Sequence, residues 1–109
     1  MQVILKKSDA AEPFTFSFLN DEGKSILRSE NYKVKSSALN GIESVKKNCE
    51  KEARYELKES SNGKFYFNLK SGNGQVVGTS AMFDSETERE ATIAALQGQG
   101  ADASIEDQT

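Results

Sequence analysis

The chain has 109 residues, enough for one compact domain with its own core but not for two independent ones. Its formal net charge of -3 argues against a dedicated nucleic-acid-binding protein, and its single cysteine excludes an intrachain disulfide framework. Histidine is absent, which excludes histidine-based triads and the usual general base near neutral pH.

The most informative feature of the sequence is an internal repeat with an offset of 51 residues. In that register, aromatic, turn and helix positions coincide: Phe14 with Phe65, Phe16 with Phe67, Gly23 with Gly74, Ser29 with Ser80 and Ile42 with Ile93. We therefore predict two repeats, at about residues 2–50 and 53–97, within a single pseudo-symmetric domain over residues 1–97.

The first repeat begins with three predicted strands, at residues 2–7, 14–18 and 24–29. Pro13, the only proline, lies in the link between the first two and marks a strand edge. The inward-facing residues of the first strand, Val3 and Leu5, match Tyr55 and Leu57 of the second repeat only if one residue is inserted near this link. A helix follows, with an apolar stripe at helical spacing: Ala38, Ile42, Val45 and Cys49.

Asn40-Gly41 is typical of a turn, yet the apolar stripe continues past it. We interpret the helix as continuous, with Gly41 permitting close approach to the sheet or to the other helix. On that interpretation Asn40 is partly exposed. Glu43, Ser44 and Lys47 lie off the packed stripe, where they are free to meet a partner.

The second repeat has clearer boundaries, with strands predicted at residues 54–59, 64–70 and 75–80 and Asn-Gly turns between them. The run from Ser85 to Glu88 has the spacing of a capping box and begins a helix that stops at Gly98 or Gly100. Residues 98–109 contain no aromatic side chain and no periodicity, which predicts a disordered acidic tail.

Together these elements predict an α+β fold: two tandem β-β-β-α repeats forming antiparallel sheet, with two helices packed on one face. The inward aromatic residues are interpreted as core beneath the helices rather than as a base-stacking platform. Whether the two repeats share one sheet stays open. Unpaired strand edges permit either a monomer or an edge-paired dimer.

Four segments resemble the YegP-like family of small uncharacterised bacterial proteins: residues 40–48, 54–59, 62–70 and 73–76. The most specific of them contains the run Asn-Gly-Ile-Glu-Ser-Val, and the resemblance covers about residues 3–96. It implies two tandem β-β-β-α units and carries no activity or catalytic residue with it. The second helix lacks this run, and Val34 stands where Ser85 caps the second helix.

Cys49 ends the apolar stripe of the first helix, so we interpret it as a buried, inert thiol rather than a nucleophile. The cations Lys46, Lys47, Lys51 and Arg54 cluster near the same helix end. We interpret them mainly as complementing the helix dipole there. Contact with phosphate or nucleic acid is the less favoured interpretation. The exposed sheet face offers a further polar surface, with Tyr66 and Asn68.

The sequence contains no catalytic, metal-binding or cofactor motif, so we predict a non-catalytic interaction or binding module with an unknown protein partner. The alternatives are a nucleic-acid-binding protein that uses the basic end of the first helix, or an enzyme based on carboxylates in the cleft between the repeats. Without a signal peptide or a long apolar run, we expect a cytoplasmic protein. The candidate partner surface consists of Asn40, Glu43, Ser44, Lys46, Lys47, Lys51, Arg54, Tyr66 and Asn68.

Overall fold

A computed structural model describes all 109 residues and places both repeats in one sheet of seven strands, covered on one face by two helices. The strands are β1 (Gln2–Lys7), β2 (Phe14–Leu19), β3 (Ser25–Arg28), β4 (Tyr55–Glu59), β5 (Phe65–Lys70), β6 (Val76–Ser80) and β7 (Ser104–Asp107). The helices are α1 (Lys35–Asn48) and α2 (Glu86–Gln99). The predicted α+β class with two tandem repeats is confirmed.

The strand order β4-β5-β6-β3-β2-β1-β7 shows how the repeats are joined. Each repeat forms an antiparallel meander, and β3 pairs antiparallel with β6 at the pseudo-twofold axis between them. Leu5 pairs with Phe16 on β2, as Leu57 pairs with Phe67 on β5. The strands β1 and β4 are therefore related by an offset of 52 residues, one more than the offset of 51 that relates the other elements. This is the one-residue insertion that the sequence pattern predicts.

The core lies between the sheet and the two helices. Four of the six predicted aromatic and leucine core positions are fully buried, together with apolar residues of both helices: Phe16, Phe18, Phe67, Leu69, Ile42, Val45 and Leu96. Phe14 is half-buried and packs against this core, and Phe65 is also half-buried. Since burial of large apolar side chains is the main favourable term in folding, this packing explains why the repeat retains these positions.

The two aligned serines, Ser29 and Ser80, hold the ends of β3 and β6 in the same way. Each hydroxyl accepts a hydrogen bond from a buried backbone N–H of the neighbouring strand, that of Phe16 at 2.9 Å and that of Phe67 at 2.9 Å. Each also donates to the carbonyl of the residue that follows it, at 2.7 Å and 2.8 Å. The serine identity between the repeats is therefore structural.

We expect Ser29→Ala and Ser80→Ala each to lower the free energy of unfolding by about 1–2 kcal/mol, because each leaves a buried N–H without a partner. The two losses should be similar, since the two environments match. Urea denaturation followed by circular dichroism measures them. Ser61→Ala, at an exposed turn, is the control and should stay within about 0.5 kcal/mol of the parent. Losses as small as the control's at both buried positions would contradict this role.

The end of the chain differs from the predicted disordered tail. After α2 a short 3-10 turn (Gly100–Asp102) leads into β7, which lies parallel to β1 and covers what would otherwise be its open edge. Ala103 is buried, Gln108 N donates to Leu5 O at 2.8 Å, and Lys35 forms an ion pair with Asp107. All four side chains of β7 are exposed, so its sequence lacks the alternation of apolar and polar residues that indicates a strand. The prediction of a disordered tail was wrong for this reason.

The two helices begin differently, as the sequence predicts. Ser85 caps α2 by accepting a hydrogen bond from Glu88 N at 3.2 Å, whereas Val34 supplies no side-chain cap to α1. Helix α1 continues without interruption through Asn40-Gly41. Neither helix has the length and apolar content that a membrane span requires.

Gly41 allows α1 to lie directly on the sheet. A Cβ at this position would be 2.8 Å from Phe16 Cε2 on β2 and 2.6 Å from the Tyr32 hydroxyl. Both separations are shorter than real Cβ contacts. The glycine in the middle of α1 is therefore explained by close approach to the sheet, which was one of the two expected reasons.

Candidate functional site

A polar cleft of about 540 Å³ lies between one flank of α1 and the turn that joins β5 to β6. We call it the α1–turn cleft. None of the residues lining it is hydrophobic. They are Asn40, Glu43, Ser44, Lys47, Asn48, Lys51, Arg54, Ser71, Gly72 and Asn73.

The helical wall of the cleft follows from the periodicity of α1. Its residues recur every three or four positions, next to the stripe that carries Gly41, Ile42 and Val45 into the core. Because that stripe is fully buried against the sheet, the polar flank beside it has to face the neighbouring repeat. The unrepeated polar residues of α1 are brought together on this flank.

The opposite wall is the tight turn from Ser71 to Asn73. The Ser71 hydroxyl donates to Asn73 Oδ1, which also accepts from Gln75 N at 3.2 Å. Gly74 completes the turn with a φ of 86°, in the left-handed region that favours glycine. These bonds use the oxygen of the Asn73 amide inside the turn and leave its NH₂ group without a partner in the protein.

Arg54 spans the space between the two walls. Its Nε donates to Asn48 Oδ1 at 3.1 Å, and Asn48, only 5% exposed, donates in turn to Ser44 O at 2.8 Å. A Cβ on Gly72 would lie 3.5 Å from Arg54 Nη2, so the guanidinium rests against the turn. The remaining guanidinium N–H groups make no hydrogen bond or ion pair within the chain.

The charge of the cleft is opposite in sign to that of the whole chain. Three cations, Lys47, Lys51 and Arg54, share it with one carboxylate, Glu43, although the protein carries a net charge of -3. None of the four is in an ion pair. A concave site with an excess of one sign of charge concentrates its potential, and the excess of two positive charges (three cations and one carboxylate) favours an anion here.

Helix α2 provides an internal comparison, because it occupies the pseudo-equivalent place in the other repeat. At the offset of 51, four of the five polar residues that face the cleft from α1 are replaced by small residues without a polar side chain: Asn40, Glu43, Ser44 and Lys47 become Ala91, Ala94, Ala95 and Gly98. The fifth, the buried Asn48, is replaced by another amide, Gln99. The core positions Ile42 and Val45 remain apolar, as Ile93 and Leu96. Folding of the repeat thus requires the core stripe and not the polar flank.

The structure brings six of the nine predicted surface residues into the cleft: Asn40, Glu43, Ser44, Lys47, Lys51 and Arg54. Lys46 does not line it. Sequence reasoning missed Asn48 and the turn residues from Ser71 to Asn73. The helical spacing from Ser44 could have indicated Asn48, whereas the turn reaches α1 only because β3 pairs with β6.

Tyr66 and Asn68 lie on the sheet face opposite the helices, away from the cleft. Asn68 Nδ2 donates to Glu56 Oε1 at 3.1 Å, and its Oδ1 accepts from Thr79 Oγ1 at 2.9 Å. Hydrogen bonds from Lys70 and from Asn68 hold the pKa of Glu56 below its ordinary value. The amide of Asn68 is therefore engaged in linking β4, β5 and β6.

Groups that could support catalysis are sparse around the cleft. Cys49 is fully buried, and burial, with a smaller contribution from Glu50, raises the pKa of its thiol, so the reactive thiolate is disfavoured. The cleft contains one carboxylate and hence no pair for general acid and base work. No three Cys, Asp or Glu side chains come together as a set of metal ligands.

Comparison with known proteins gives two matches to one family, described as a domain of unknown function (DUF1508), at residues 9–56 and 60–107. The chain belongs to the DUF1508 family. The two DUF1508 matches begin 51 residues apart, the offset read from the sequence, and the second extends through β7.

Among the relatives of this DUF1508 protein is the UPF0339 protein YegP of Escherichia coli K12, 44% identical over 104 residues that cover 95% of this chain and 93% of the relative. A UPF0339 protein in the ptx operon 5' region of Stutzerimonas stutzeri is 49% identical over 98 residues, 90% of this chain and 88% of the relative. The expected YegP-like membership is confirmed.

Solved structures support the same fold. The solution NMR structure of Escherichia coli YegP, a protein of unknown function, has a TM-score of 0.91 at 42% identity and covers 99% of this chain and 92% of its own. The solution NMR structure of a UPF0339 protein from Shewanella oneidensis has a TM-score of 0.90 at 42% identity and covers 97% of this chain and 89% of its own. The family is uncharacterised, so function has to be argued from the α1–turn cleft.

Proposed function

We propose that this DUF1508 protein is a non-catalytic binding module that holds an anionic group of its ligand in the α1–turn cleft. The observation that carries the proposal is the set of three cations, Lys47, Lys51 and Arg54, which line a cleft without hydrophobic residues and have no acidic partner. An oxyanion placed among them would accept charge-assisted hydrogen bonds from both ammonium groups and the guanidinium.

Two further observations support a binding role. The guanidinium of Arg54 is oriented before any ligand arrives, because Asn48 accepts from its Nε while its other N–H groups stay free. Orientation in advance lowers the entropy lost on binding. The absence of the polar flank from α2 also indicates that these residues serve something other than folding.

The non-catalytic part of the proposal rests on chemistry. The chain has no histidine, its only thiol is buried with a raised pKa, and Glu43 has no second carboxylate beside it in the cleft. A cytoplasmic location stays a prediction from the sequence. An edge-paired dimer also stays a prediction, for which β4 and β7 would supply the edges.

Inorganic phosphate is the simplest probe of the site. In a low-salt, phosphate-free buffer, titration of ¹⁵N-labelled protein should shift backbone amides of the α1 flank and of the Ser71–Asn73 turn in a saturable way. The double variant Lys47→Gln/Lys51→Gln should weaken this binding by at least about tenfold, because hydrogen bonds to charged groups contribute about 1.5–3 kcal/mol each.

The matched control is Arg28→Gln/Lys33→Gln, which makes the same change in net charge at two exposed residues outside the cleft. It should leave phosphate affinity within about twofold, because neither residue lines the cleft and neither loss removes a charge-assisted hydrogen bond to a phosphate held there. If both double variants lost phosphate affinity equally, the change in net charge alone would explain the result, and the proposal would be overturned. Phosphate-induced shifts confined to residues outside the cleft would also overturn the proposal.

A further inference from the structure

We infer that the ligand of the α1–turn cleft is a small sugar phosphate, a phosphate monoester on a hydroxyl-rich and non-aromatic body. This inference rests on the proposed function and narrows it from any anion to one chemical class. It follows from the order of charges along the cleft, from the groups left without partners and from the lining.

The charges are separated along the helix axis. Asn40 and Glu43 lie toward the start of the polar flank, whereas Lys47, Lys51 and Arg54 follow at and beyond its end. Four residues, about 6 Å of axial rise, separate Glu43 from Lys47. The site therefore offers positive charge at one end and a carboxylate acceptor at the other, which suits a ligand with an anionic head and a hydrogen-bond-donating body.

At the basic end, the donors that have no partner in the protein suit a phosphate group. The two lysine ammonium groups, the outer N–H groups of Arg54 and the Asn73 NH₂ belong to residues that line the cleft, and they have no acceptor in the protein. Phosphate monoesters present three terminal oxygens and close to two negative charges at neutral pH. A carboxylate has two oxygens and one charge, so it would satisfy fewer of these donors.

At the other end, the unpaired groups suit hydroxyls. Glu43 makes no hydrogen bond or ion pair within the protein, and its carboxylate can accept from two adjacent hydroxyl groups. The Asn40 amide, exposed beside it, can both donate and accept. Ligands that carry a second anionic group would meet repulsion at Glu43, so the body of the ligand is neutral.

The lining argues against a nucleobase. Bases are held in proteins by stacking on aromatic side chains, on Arg guanidinium planes or between apolar side chains. This cleft has no aromatic or hydrophobic residue, and its single guanidinium, that of Arg54, already rests against the turn at Gly72. Its volume of about 540 Å³ is within the range of small-molecule sites. A compact, hydrophilic phosphate ester therefore matches the cleft better than a nucleotide or a nucleic-acid strand.

The test compares affinities, measured by NMR titration and calorimetry, for inorganic phosphate, glycerol 3-phosphate, ribose 5-phosphate, glucose 6-phosphate and AMP. We expect at least one of the three polyol or sugar phosphates to bind about tenfold more tightly than inorganic phosphate, and more tightly than AMP. Glucose without phosphate should not bind measurably.

Glu43→Gln is the decisive variant, because it separates the two ends of the cleft. It should reduce the ratio of sugar-phosphate to inorganic-phosphate affinity by about tenfold, since the charged acceptor for hydroxyls is lost while the cations remain. Lys47→Gln/Lys51→Gln should instead weaken both ligands together. Glu86→Gln, which changes an exposed carboxylate on α2 that lies outside the cleft and forms no ion pair, is the control and should leave the ratio unchanged.

The outcomes distinguish this inference from the proposed function beneath it. If inorganic phosphate binds in the cleft but none of the three esters exceeds it, or if AMP binds most tightly, the sugar-phosphate inference is overturned and the anion-binding module stands. If no phosphate compound shifts the cleft residues at all, both are overturned.

Discussion

Removal of residues 103–109 is expected to lower the free energy of unfolding by about 2–4 kcal/mol and to promote self-association through β1. The parallel ladder between β1 and β7 would be lost, with several backbone hydrogen bonds that each contribute about 1 kcal/mol. Buried Ala103 would be lost with it. The newly open edge of β1 would present unpaired N–H and C=O groups to other chains.

Urea denaturation and sedimentation velocity measure the two parts of this result. Lys35→Gln in the full-length chain is the control, because it removes the exposed ion pair with Asp107 and leaves the ladder intact. Its effect should be small and should disappear at high salt. A truncated chain as stable and as monomeric as the parent is what a disordered tail would give, and it would contradict the pairing of β7.

The elements that the sequence predicted are those whose side chains divide clearly between core and solvent. β5 alternates Phe65, Phe67 and Leu69 with polar residues, and α1 carries its core stripe at helical spacing, so periodicity was sufficient. β7 is held by its backbone alone, with every side chain exposed. No hydrophobic pattern marks such a strand, which is why composition indicated a tail instead.

Only one wall of the cleft, the polar flank of α1, could be predicted from the sequence, for a related reason. The polar flank of α1 stood out because α2 lacks it, a difference visible in the repeat itself. The turn from Ser71 to Asn73 is ordinary turn sequence, and nothing in it indicates a contact with α1. That contact depends on the pairing of Leu27 with Ser80 between the repeats, a long-range choice that local patterns do not determine.

Gly41→Leu is expected to lower the free energy of unfolding by about 3 kcal/mol or more, through overpacking between α1 and the sheet. Its first side-chain atom would already lie 2.8 Å from Phe16 Cε2 and 2.6 Å from the Tyr32 hydroxyl, and three more carbons would follow. Leucine is the better helix former by roughly 0.8 kcal/mol, so the cost of packing has to exceed that gain.

Gly98→Leu is the matched control, since it makes the same substitution in α2 where a Cβ would meet no atom within 4 Å. With no clash to offset it, helix propensity should leave the protein unchanged or more stable by up to about 0.8 kcal/mol. Thermal and urea denaturation of the pair separate packing from propensity. Equal changes at the two sites would contradict the close approach of α1 to the sheet.

The smaller substitution Gly41→Ala identifies which contact sets the position of α1. Its single methyl meets the Tyr32 hydroxyl before any other atom, so Tyr32→Phe in the same chain should recover part of the loss. If Tyr32→Phe recovers nothing, the contact with the buried ring of Phe16 sets the position of α1. In that case α1 has to lift from the sheet to admit the methyl. Because the flank of α1 is one wall of the α1–turn cleft, the same variant should also weaken phosphate binding, although Gly41 does not line the cleft.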